Sequence, residues 1–402
     1  MIQRPTFYYI ATSGIIASQP LLAGPIIVSS IGLEQYSVTQ IFQTYATAII
    51  IFTNLGATAA IPKHYKKGWP FKKVLNNLII LNIALWVVGI LIYYVYNSLY
   101  TIALPVKINV RTLITLSAFS LLNVLYTSLI LFMQLQNKPK LIFHSALIVL
   151  ILFSGIFILM LLYSEITVHT RLDAATTGYL GSIIYLLCKS DKEVRAEQYY
   201  FDSVFIRSAL KYFPPVLGVF LLQNFDRLYL PAHVSLERLG ILNLSLQVGF
   251  GVLMISDALN KQRFADIQNS NTVTRSAIMK DIKKSIARSA FVILTISMLS
   301  TMYFLILFDQ KYYEAMMLSL FIIISLGVTP VFHCFQNYLY YYDKPKLMTI
   351  CSITALVVYI LTVVNFTEDY SIYSVVLALM LYNLTRVVMS AYFVKISWNS
   401  NV

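Results

Sequence analysis

The stretch QNFDRLYLP, residues 223–231, places an aspartate and an arginine side by side in an apolar run that is long enough to cross a membrane. An ionisable side chain at the centre of a bilayer costs on the order of 3 kcal/mol on insertion scales, so such groups usually face a partner or a water-filled cavity. Adjacent residues on a helix do not face each other, so Asp226 and Arg227 do not simply neutralise each other. Two interpretations stay open: the pair makes contacts that hold helices together, or it lines a cavity.

Polar and helix-bending residues accompany this pair. Gln223 lies one turn before it on the same flank, and Pro231 lies one turn after Arg227. Proline lacks an N–H and clashes with the carbonyl four residues earlier, so Pro231 predicts a kink that frees the Arg227 carbonyl. Pro20 and Pro25 occupy the first apolar run. We expect all three prolines to act as hinges.

Two further intramembrane polar residues are candidates for a cavity lining. Arg386, in the last apolar run, either reaches a cavity or extends to the headgroups along its aliphatic stem. Gln43, in the second run, either lines a polar path or hydrogen-bonds to a neighbouring helix. The sequence has no HExxH, P-loop or GxSxG motif, and its three cysteines show no CxxC spacing. We therefore predict neither a catalytic centre nor a metal site.

The composition indicates the class of protein in which these residues lie. The chain has 402 residues, of which 58% are hydrophobic and 12% are charged, whereas soluble domains carry about 25% charged residues. Apolar runs of about 20 residues recur along the chain, the length that crosses a hydrocarbon core of about 30 Å. Runs such as VLNNLIILNIALWVVGILIYYV do not alternate as the strands of a β-barrel do. The sequence therefore predicts an all-α polytopic membrane protein.

The apolar runs and the basic residues together predict the membrane topology. Lysine and arginine concentrate on the cytoplasmic side, and with a cytoplasmic N-terminus 23 of the 30 basic residues fall in inner segments. Both termini are therefore expected in the cytoplasm. The net charge of +13 indicates contact with anionic headgroups rather than with nucleic acid. We predict about twelve spans, of which the second and sixth are the most polar: 7–31, 36–62, 74–97, 112–135, 141–163, 170–188, 212–234, 239–259, 289–308, 314–337, 347–366 and 370–394.

The sequence also contains an internal repeat. NKPKL at 137–141 follows the fourth predicted span, and DKPKL at 343–347 follows the tenth, at an offset of 206 residues. The same offset carries Pro25 of the first span onto Pro231 of the seventh. A six-span half repeated once gives two parallel lobes, an arrangement found in transporters with a central substrate cavity.

The repeat predicts the domain boundaries. We expect an N-terminal lobe at 1–200, which ends in a charged cytoplasmic segment at about 189–211, and a C-terminal lobe at 201–402. Each lobe would contain six spans, with the central cavity between the two lobes.

Several stretches resemble a known family. PLLAGPIIVSSIGLEQYSV is similar to its first hairpin, and FTNLGATAAIPKHYKK to the exit of its second span. NFDRLYLPAHVSLERLGILNLSLQVG resembles the seventh and eighth spans, where an Asp followed by Arg or Lys recurs. LQNKPKLIFHSAL and YYYDKPKLMTICSI look like the short basic inner turns. The chain thus resembles the bacterial O-antigen flippases of the multidrug/oligosaccharidyl-lipid/polysaccharide (MOP) exporter superfamily, although LGILN lacks the tyrosine that usually follows the glycine.

This resemblance implies a function. A flippase of this family would move an undecaprenyl-diphosphate-linked oligosaccharide from the cytoplasmic to the outer leaflet of the bacterial inner membrane by alternating access. Arg227 would attract the diphosphate or an acidic sugar, and Asp226 is a candidate carboxylate for coupling to H⁺ or Na⁺. Beyond that ion no cofactor is implied. The implied partners are the lipid-linked substrate, membrane lipids and other membrane proteins of polysaccharide assembly.

Two other functions stay open. The first is an ion-coupled multidrug exporter of the same superfamily, which should favour acidic residues in its cavity. The second is a membrane-embedded polysaccharide polymerase, which should carry a substantial outer loop with catalytic Arg, His or Asp. The longest expected outer loop, SLYTIALPVKINVR, contains neither an acid nor a histidine. A lobe repeat also has no evident purpose in such an enzyme, so transport is the expected function.

Overall fold

The computed structural model is built from α-helices. It describes residues 4–67, 69, 71–99, 109–163, 166–189, 202–268, 275–342 and 344–399, and within those ranges there is no β-strand. The predicted all-α membrane fold is therefore confirmed. The helices are α1 Arg4–Asn54, α2 Ala57–Lys66, α3 Phe71–Leu99, α4 Val110–Leu135, α5 Pro139–Leu162, α6 Thr170–Lys189, α7 Ser203–Tyr229, α8 Leu236–Gly249, α9 Gly251–Gln268, α10 Arg275–Leu307, α11 Tyr313–Leu326, α12 Thr329–Tyr341, α13 Pro345–Tyr370 and α14 Tyr373–Asn399.

The number of spans differs from the prediction for two identifiable reasons. Among the described residues, ten helical segments are long and apolar enough to cross a membrane. The first predicted span and most of the second lie in α1, where two helices run together across Gly32, whose backbone has φ 80° and ψ 170°. The second predicted span ends in α2. The sixth predicted span is α6, whose polar residues keep it below that level of hydropathy. The predicted count of twelve is therefore approximate, while every predicted span corresponds to helix.

The chain divides into two compact units, Met1–Asn224 and Phe225–Val402. The division falls inside α7, so most of this helix packs with the first unit and only its last turn belongs to the second. The predicted lobe boundary at 200/201 is not settled by this division and stays a prediction. The charged linker at about 189–211 lies largely outside the described residues.

The first turns of α7 are fixed in the core of the first unit. Phe205 and Ala209 are fully buried in the same apolar cluster as Ala57 and Ile61 of α2 and Leu78 of α3. Burying side chains of this kind contributes roughly 1.5–3 kcal/mol for each large one. The long helix α7 is thus anchored firmly at its beginning.

A glycine allows α7 to approach the break between α1 and α2. Gly56 has φ +80°, a left-handed conformation that side chains rarely adopt. A Cβ atom added there would lie 2.7 Å from the Ala209 carbonyl oxygen and 2.8 Å from the Phe213 nitrogen. The backbone of α7 therefore occupies the space that any other residue at this position would need.

The core of the second unit surrounds α12. This helix packs against α9, α10 and α14, and its Phe332, Tyr338 and Leu339 are almost completely buried. The same cluster includes Ile267 of α9 and Met348 of α13. Polar side chains of α12 lie beside this apolar core and take part in the contacts described below.

The outer surfaces carry large apolar side chains. On α10, Phe291, Leu294 and Met298 are 68%, 65% and 68% exposed. A water-soluble monomer rarely exposes contiguous apolar area of this kind. These faces fit the hydrocarbon of a bilayer, in agreement with a multi-pass membrane protein.

Candidate functional site

Asp226 and Arg227 lie in different surroundings, as their adjacency on a helix predicts. Asp226 is only 2% exposed, and its Oδ2 atom has no hydrogen-bond partner among the described residues. Arg227 is half-buried, and its Nε atom donates a hydrogen bond of 2.7 Å to Oδ1 of Asn243. The structure thus buries Asp226 and leaves the Arg227 residue partly exposed.

The partner of Arg227 is held firmly by its own helix. Asn243 is 1% exposed in α8, which begins at Ser235, where the hydroxyl accepts a hydrogen bond from the Arg238 amide. One turn before the end of α8, the Ser245 hydroxyl donates to the Ala315 carbonyl of α11 at 2.8 Å. The capped and bonded helix therefore fixes the amide that orients the guanidinium.

A tyrosine of α13 lies near both charges. Tyr359 is 1% exposed and within electrostatic reach of Asp226 and Arg227. Its ring meets that of Tyr382 of α14 edge-on, with centroids 6.4 Å apart. The two tyrosines link the surroundings of the charged pair to Arg386, which lies one turn after Tyr382 in α14.

Arg386 is held over aromatic rings. Its guanidinium carbon lies 3.5 Å from the centroid of Phe332 and 4.9 Å from that of Tyr382. Its Nε atom has no hydrogen-bond partner among the described residues. Contacts of a cation with ring faces contribute about 2 kcal/mol when they are desolvated. The structure therefore brings Asp226, Arg227 and Arg386 into one connected network within the second unit.

The two predicted glutamines belong to the first unit. Gln223 is exposed and lines an apolar groove of about 360 Å³ together with Thr47, Pro215 and Phe220. Gln43 is half-buried, and its Oε1 atom is buried without a hydrogen-bond partner in the described part of the chain. Their roles as cavity residues stay predictions.

The predicted hinges occupy three different settings. Pro231 lies in a short 3₁₀ turn, Leu230–Ala232, that follows the end of α7 at Tyr229. The expected kink inside a longer α-helix is therefore corrected to a change of helix type at its end, because proline cannot continue the hydrogen bonding. The α-helix continues past Pro25, and in α1 the backbone leaves helical angles at Gly32. The side chain of Pro20 lies outside the described residues.

The sequence did not indicate two residues that shape this site. Asn243 could have been found as an asparagine in an otherwise apolar run, ILNLSL, because an amide in a membrane span usually has a polar partner. Tyr359 gives no such signal, since tyrosines are frequent throughout the chain. In the described residues no group of His, Cys, Asp and Glu is arranged to hold a metal ion.

Comparison with known proteins supports the fold. No protein-family model matches the chain. An uncharacterized membrane protein of Haemophilus influenzae is 22% identical over 371 residues, which are 85% of this chain and 84% of that protein. The structure of the lipid II flippase MurJ in an inward closed conformation has a TM-score of 0.67 at 15% identity and covers 97% of this chain and 87% of its own.

Structures of multidrug transporters match this chain with similar TM-scores and coverage. A MATE family transporter of the MOP superfamily in an inward-facing conformation has a TM-score of 0.60 at 11% identity and covers 100% of this chain and 97% of its own. The structure of a multidrug resistance MATE family transporter of the same superfamily in an outward-facing conformation has a TM-score of 0.62 at 13% identity. The match covers 98% of this chain and 94% of that transporter. The chain therefore has the fold of the MurJ and MATE transporters, and the substrate is a separate question.

Proposed function

We propose that this chain is a membrane transporter that moves a lipid-linked oligosaccharide with a diphosphate group from the cytoplasmic to the outer leaflet of a bacterial inner membrane. The observation that carries this proposal is the contrast between Asp226, which is 2% exposed, and Arg227, which is half-buried and oriented by Asn243. The accessible charge of the site is thus positive, which suits a diphosphate or an acidic sugar.

The physical need for a protein follows from the substrate. Each sugar hydroxyl that enters hydrocarbon loses its hydrogen bonds with water, at a cost of roughly 2–7 kcal/mol for each group. Alternating access by movement of two halves would offer the sugars a polar path while the apolar tail stays in the bilayer. The fold shared with MurJ and MATE transporters supports this kind of mechanism, although it does not select the substrate.

Asp226 is our candidate for ion coupling. It is a carboxylate buried in a membrane span, and such groups occur in the proton and ion pathways of transporters. Its Oδ2 atom has no hydrogen-bond partner among the described residues, so it could accept a proton or contact a cation. We propose H⁺ or Na⁺ as the coupling ion.

An ion-coupled multidrug exporter is the second candidate. Its support is the similarity to MATE transporters over almost the whole chain. A cationic drug would be attracted by an accessible acid, whereas the acid of this site is buried beside a partly exposed arginine. This arrangement favours the anionic substrate.

A deletion strain tests the proposal directly. We expect cells without this protein to accumulate single, unpolymerised oligosaccharide units on undecaprenyl diphosphate, with the sugars facing the cytoplasm. Single units in the outer leaflet would point to a polymerase instead. Unchanged lipid-linked sugar together with altered drug tolerance would show that the multidrug exporter is the better description.

Complementation of that strain with variants tests the site. R227A should reduce export by about tenfold or more, since an interaction with a charged group contributes roughly 1.5–3 kcal/mol. R227K should export more than R227A but less than the wild type, because lysine keeps the charge but not the planar geometry of arginine. K346A removes an exposed lysine outside the site and is the matched control. Normal export by correctly inserted R227A protein would disprove the role of Arg227.

A further inference from the structure

A small polar pocket lies among three helices of the second unit, next to the network just described: Asp226, Arg227 and Arg386 do not line it, but His333 of the pocket is within electrostatic reach of Arg386. Ser256, Asn260 and Arg263 of α9 line one wall, and Ser285 and Arg288 of α10 line the second. The third wall is α12, with His333 and Asn337 among its residues. Such a concentration of polar groups inside one helical unit of a membrane protein requires an explanation.

Of the two arginines that line the pocket, Arg263 already has an acidic partner. Arg263 forms a salt bridge with Asp281, which is 7% exposed and also accepts a hydrogen bond from the Tyr338 hydroxyl. Asn337 donates to Oδ1 of Asn260 at 2.7 Å. These contacts hold the walls in place, and the salt bridge neutralises the buried Asp281.

Arg288 remains as the uncompensated charge of the pocket. It is exposed, and none of the described residues forms a salt bridge or hydrogen bond with it. Asp257, the other nearby acid, is 63% exposed and lies 3.4 Å from Nε2 of His333 without lining the pocket. The accessible charge is therefore positive.

Two deeply buried polar atoms also lack partners. The Ser256 hydroxyl belongs to a residue that is 1% exposed, and Nδ1 of His333 to one that is 9% exposed, and neither atom is hydrogen-bonded within the described structure. Buried polar atoms almost always have a partner from protein, water or ligand. The Ser256 hydroxyl can donate to a ligand oxygen. Nδ1 of His333 in its neutral form accepts instead, because Nε2 faces the Asp257 carboxylate, so a ligand with both acceptor oxygens and a hydroxyl, such as a hydrogen phosphate, would satisfy both atoms.

The size of the pocket limits the ligand. Its empty space is about 280 Å³ counted out to the open mouth, of which only about 20 Å³ can hold the centre of a water-sized group. That is enough for one small polar group and too little for a sugar ring. One oxygen of a phosphate would therefore occupy this space, and the rest of the group would lie outside it, where the exposed Arg288 can reach it.

The surroundings favour an anion at the membrane surface. Lys280, Lys283 and Lys284 are exposed on the turns of α10 before Arg288. This helix has 33 residues and a length of about 50 Å, so it extends beyond a hydrocarbon core of about 30 Å. Basic pockets between helices at this level are typical binding sites for the head groups of anionic lipids.

We propose that this pocket binds a phosphate-bearing anion, either the head group of an anionic lipid or free phosphate, with Arg288 as its main charged contact. Arginine can donate two hydrogen bonds to one phosphate, and the paired Arg263 and the two unpartnered atoms define the wall behind it. The proposal does not depend on which substrate the protein transports.

The test measures ligand-induced stabilisation of the full-length protein in detergent. Wild-type protein should gain thermal stability on addition of phosphatidylglycerol but not of phosphatidylcholine if a lipid is the ligand, and on addition of inorganic phosphate but not of chloride if the ligand is soluble. R288Q should weaken the affinity by about tenfold, as loss of a charged hydrogen-bonding group does. R288K should retain part of the shift.

K284Q is the matched control. It removes the same charge one turn away, from an exposed side chain outside the pocket. We expect K284Q to keep nearly the whole shift, with each variant compared to its own ligand-free melting temperature. If R288Q and K284Q reduce the shift equally, the effect is diffuse surface charge and the pocket is not a site. The absence of any shift in the wild-type protein with either ligand would overturn the proposal as well.

Discussion

The Nε atom of Arg227 and the Oδ1 atom of Asn243 are joined by a hydrogen bond of 2.7 Å between α7 and α8. The amide is 1% exposed, whereas the guanidinium is only half-buried. A flexible side chain would lose conformational entropy whenever it bound an anion. The bond to Asn243 orients the guanidinium beforehand, so that less of this cost remains at binding.

Substitution of Asn243 should therefore reduce transport without removing any charge. We expect N243A to lower export by about tenfold, as the loss of a hydrogen bond to a charged group does. N365A removes the same amide from an exposed position of α13 and should leave export unchanged. The measurement is complementation of the deletion strain at equal amounts of inserted protein. Equal export by N243A and N365A would show that orientation of Arg227 is unimportant.

Replacement of Asp226 should affect the thermal stability of the protein and the coupling of transport to an ion gradient in different ways. D226N keeps the shape of the side chain and removes a charge that is buried at 2% exposure, so we expect unchanged or higher thermal stability. If the carboxylate couples transport to an ion, the same variant should no longer respond to an imposed H⁺ or Na⁺ gradient in proteoliposomes. D226A, which also leaves a cavity, should be less stable than D226N. A stable D226N protein with an intact gradient response would exclude Asp226 as the coupling group.

Gly56 and Gly32 offer a matched pair for testing the anchoring of α7. Both have φ +80°, but a Cβ at Gly56 would lie 2.7 Å from the Ala209 carbonyl oxygen, while nothing lies within 4 Å of a Cβ at Gly32. Gly32 also has ψ 170°, a backbone region essentially restricted to glycine, so G32A should cost about 1–3 kcal/mol of strain. G56A should cost several kcal/mol more, because the backbone of α7 must move. Thermal melting followed by size-exclusion chromatography measures this, and similar melting temperatures for the two variants would contradict the close packing.

The features that the sequence predicted well are those governed by hydropathy and by backbone chemistry. Long apolar runs must form helices in a bilayer, since every backbone N–H and C=O needs a partner there. The predicted break between the first two spans, 7–31 and 36–62, falls at Gly32, where the structure has a non-helical backbone. The charged pair in α7 stood out because ionisable residues in spans are rare.

The side-chain partners could not be predicted in the same way. The contacts between Arg227 and Asn243, between Arg386 and Phe332, and between Asp281 and Tyr338 depend on which helices are neighbours. Periodicity assigns a residue to a helix but not to a particular neighbour. The packing of the first turns of α7 could not be predicted either, because only tertiary contacts show that Phe205 belongs to the core of the first unit.

We expect His64 to make the stability of the protein pH-dependent, independently of transport. It lies in α2, outside the membrane-spanning segments, is 1% exposed and has no hydrogen bond to either ring nitrogen among the described residues. Its ring packs against Trp69 and Phe205, with centroids 4.3 Å and 5.2 Å away. Burial, and then the ammonium groups of Lys63 and Lys67, lower the pKa of His64.

A lowered pKa in the folded state means that the unfolded chain binds this proton more readily. Stability contributed by the neutral ring is therefore fully present above the unfolded pKa of about 6.5 and is lost as the pH falls through the lower folded value. H64F keeps an aromatic ring between Trp69 and Phe205 and cannot be protonated, so its melting temperature should fall less than that of the wild type as the pH decreases below about 6.5. If the melting temperatures of the wild type and H64F fall equally as the pH decreases, protonation of His64 does not contribute to the pH dependence of stability.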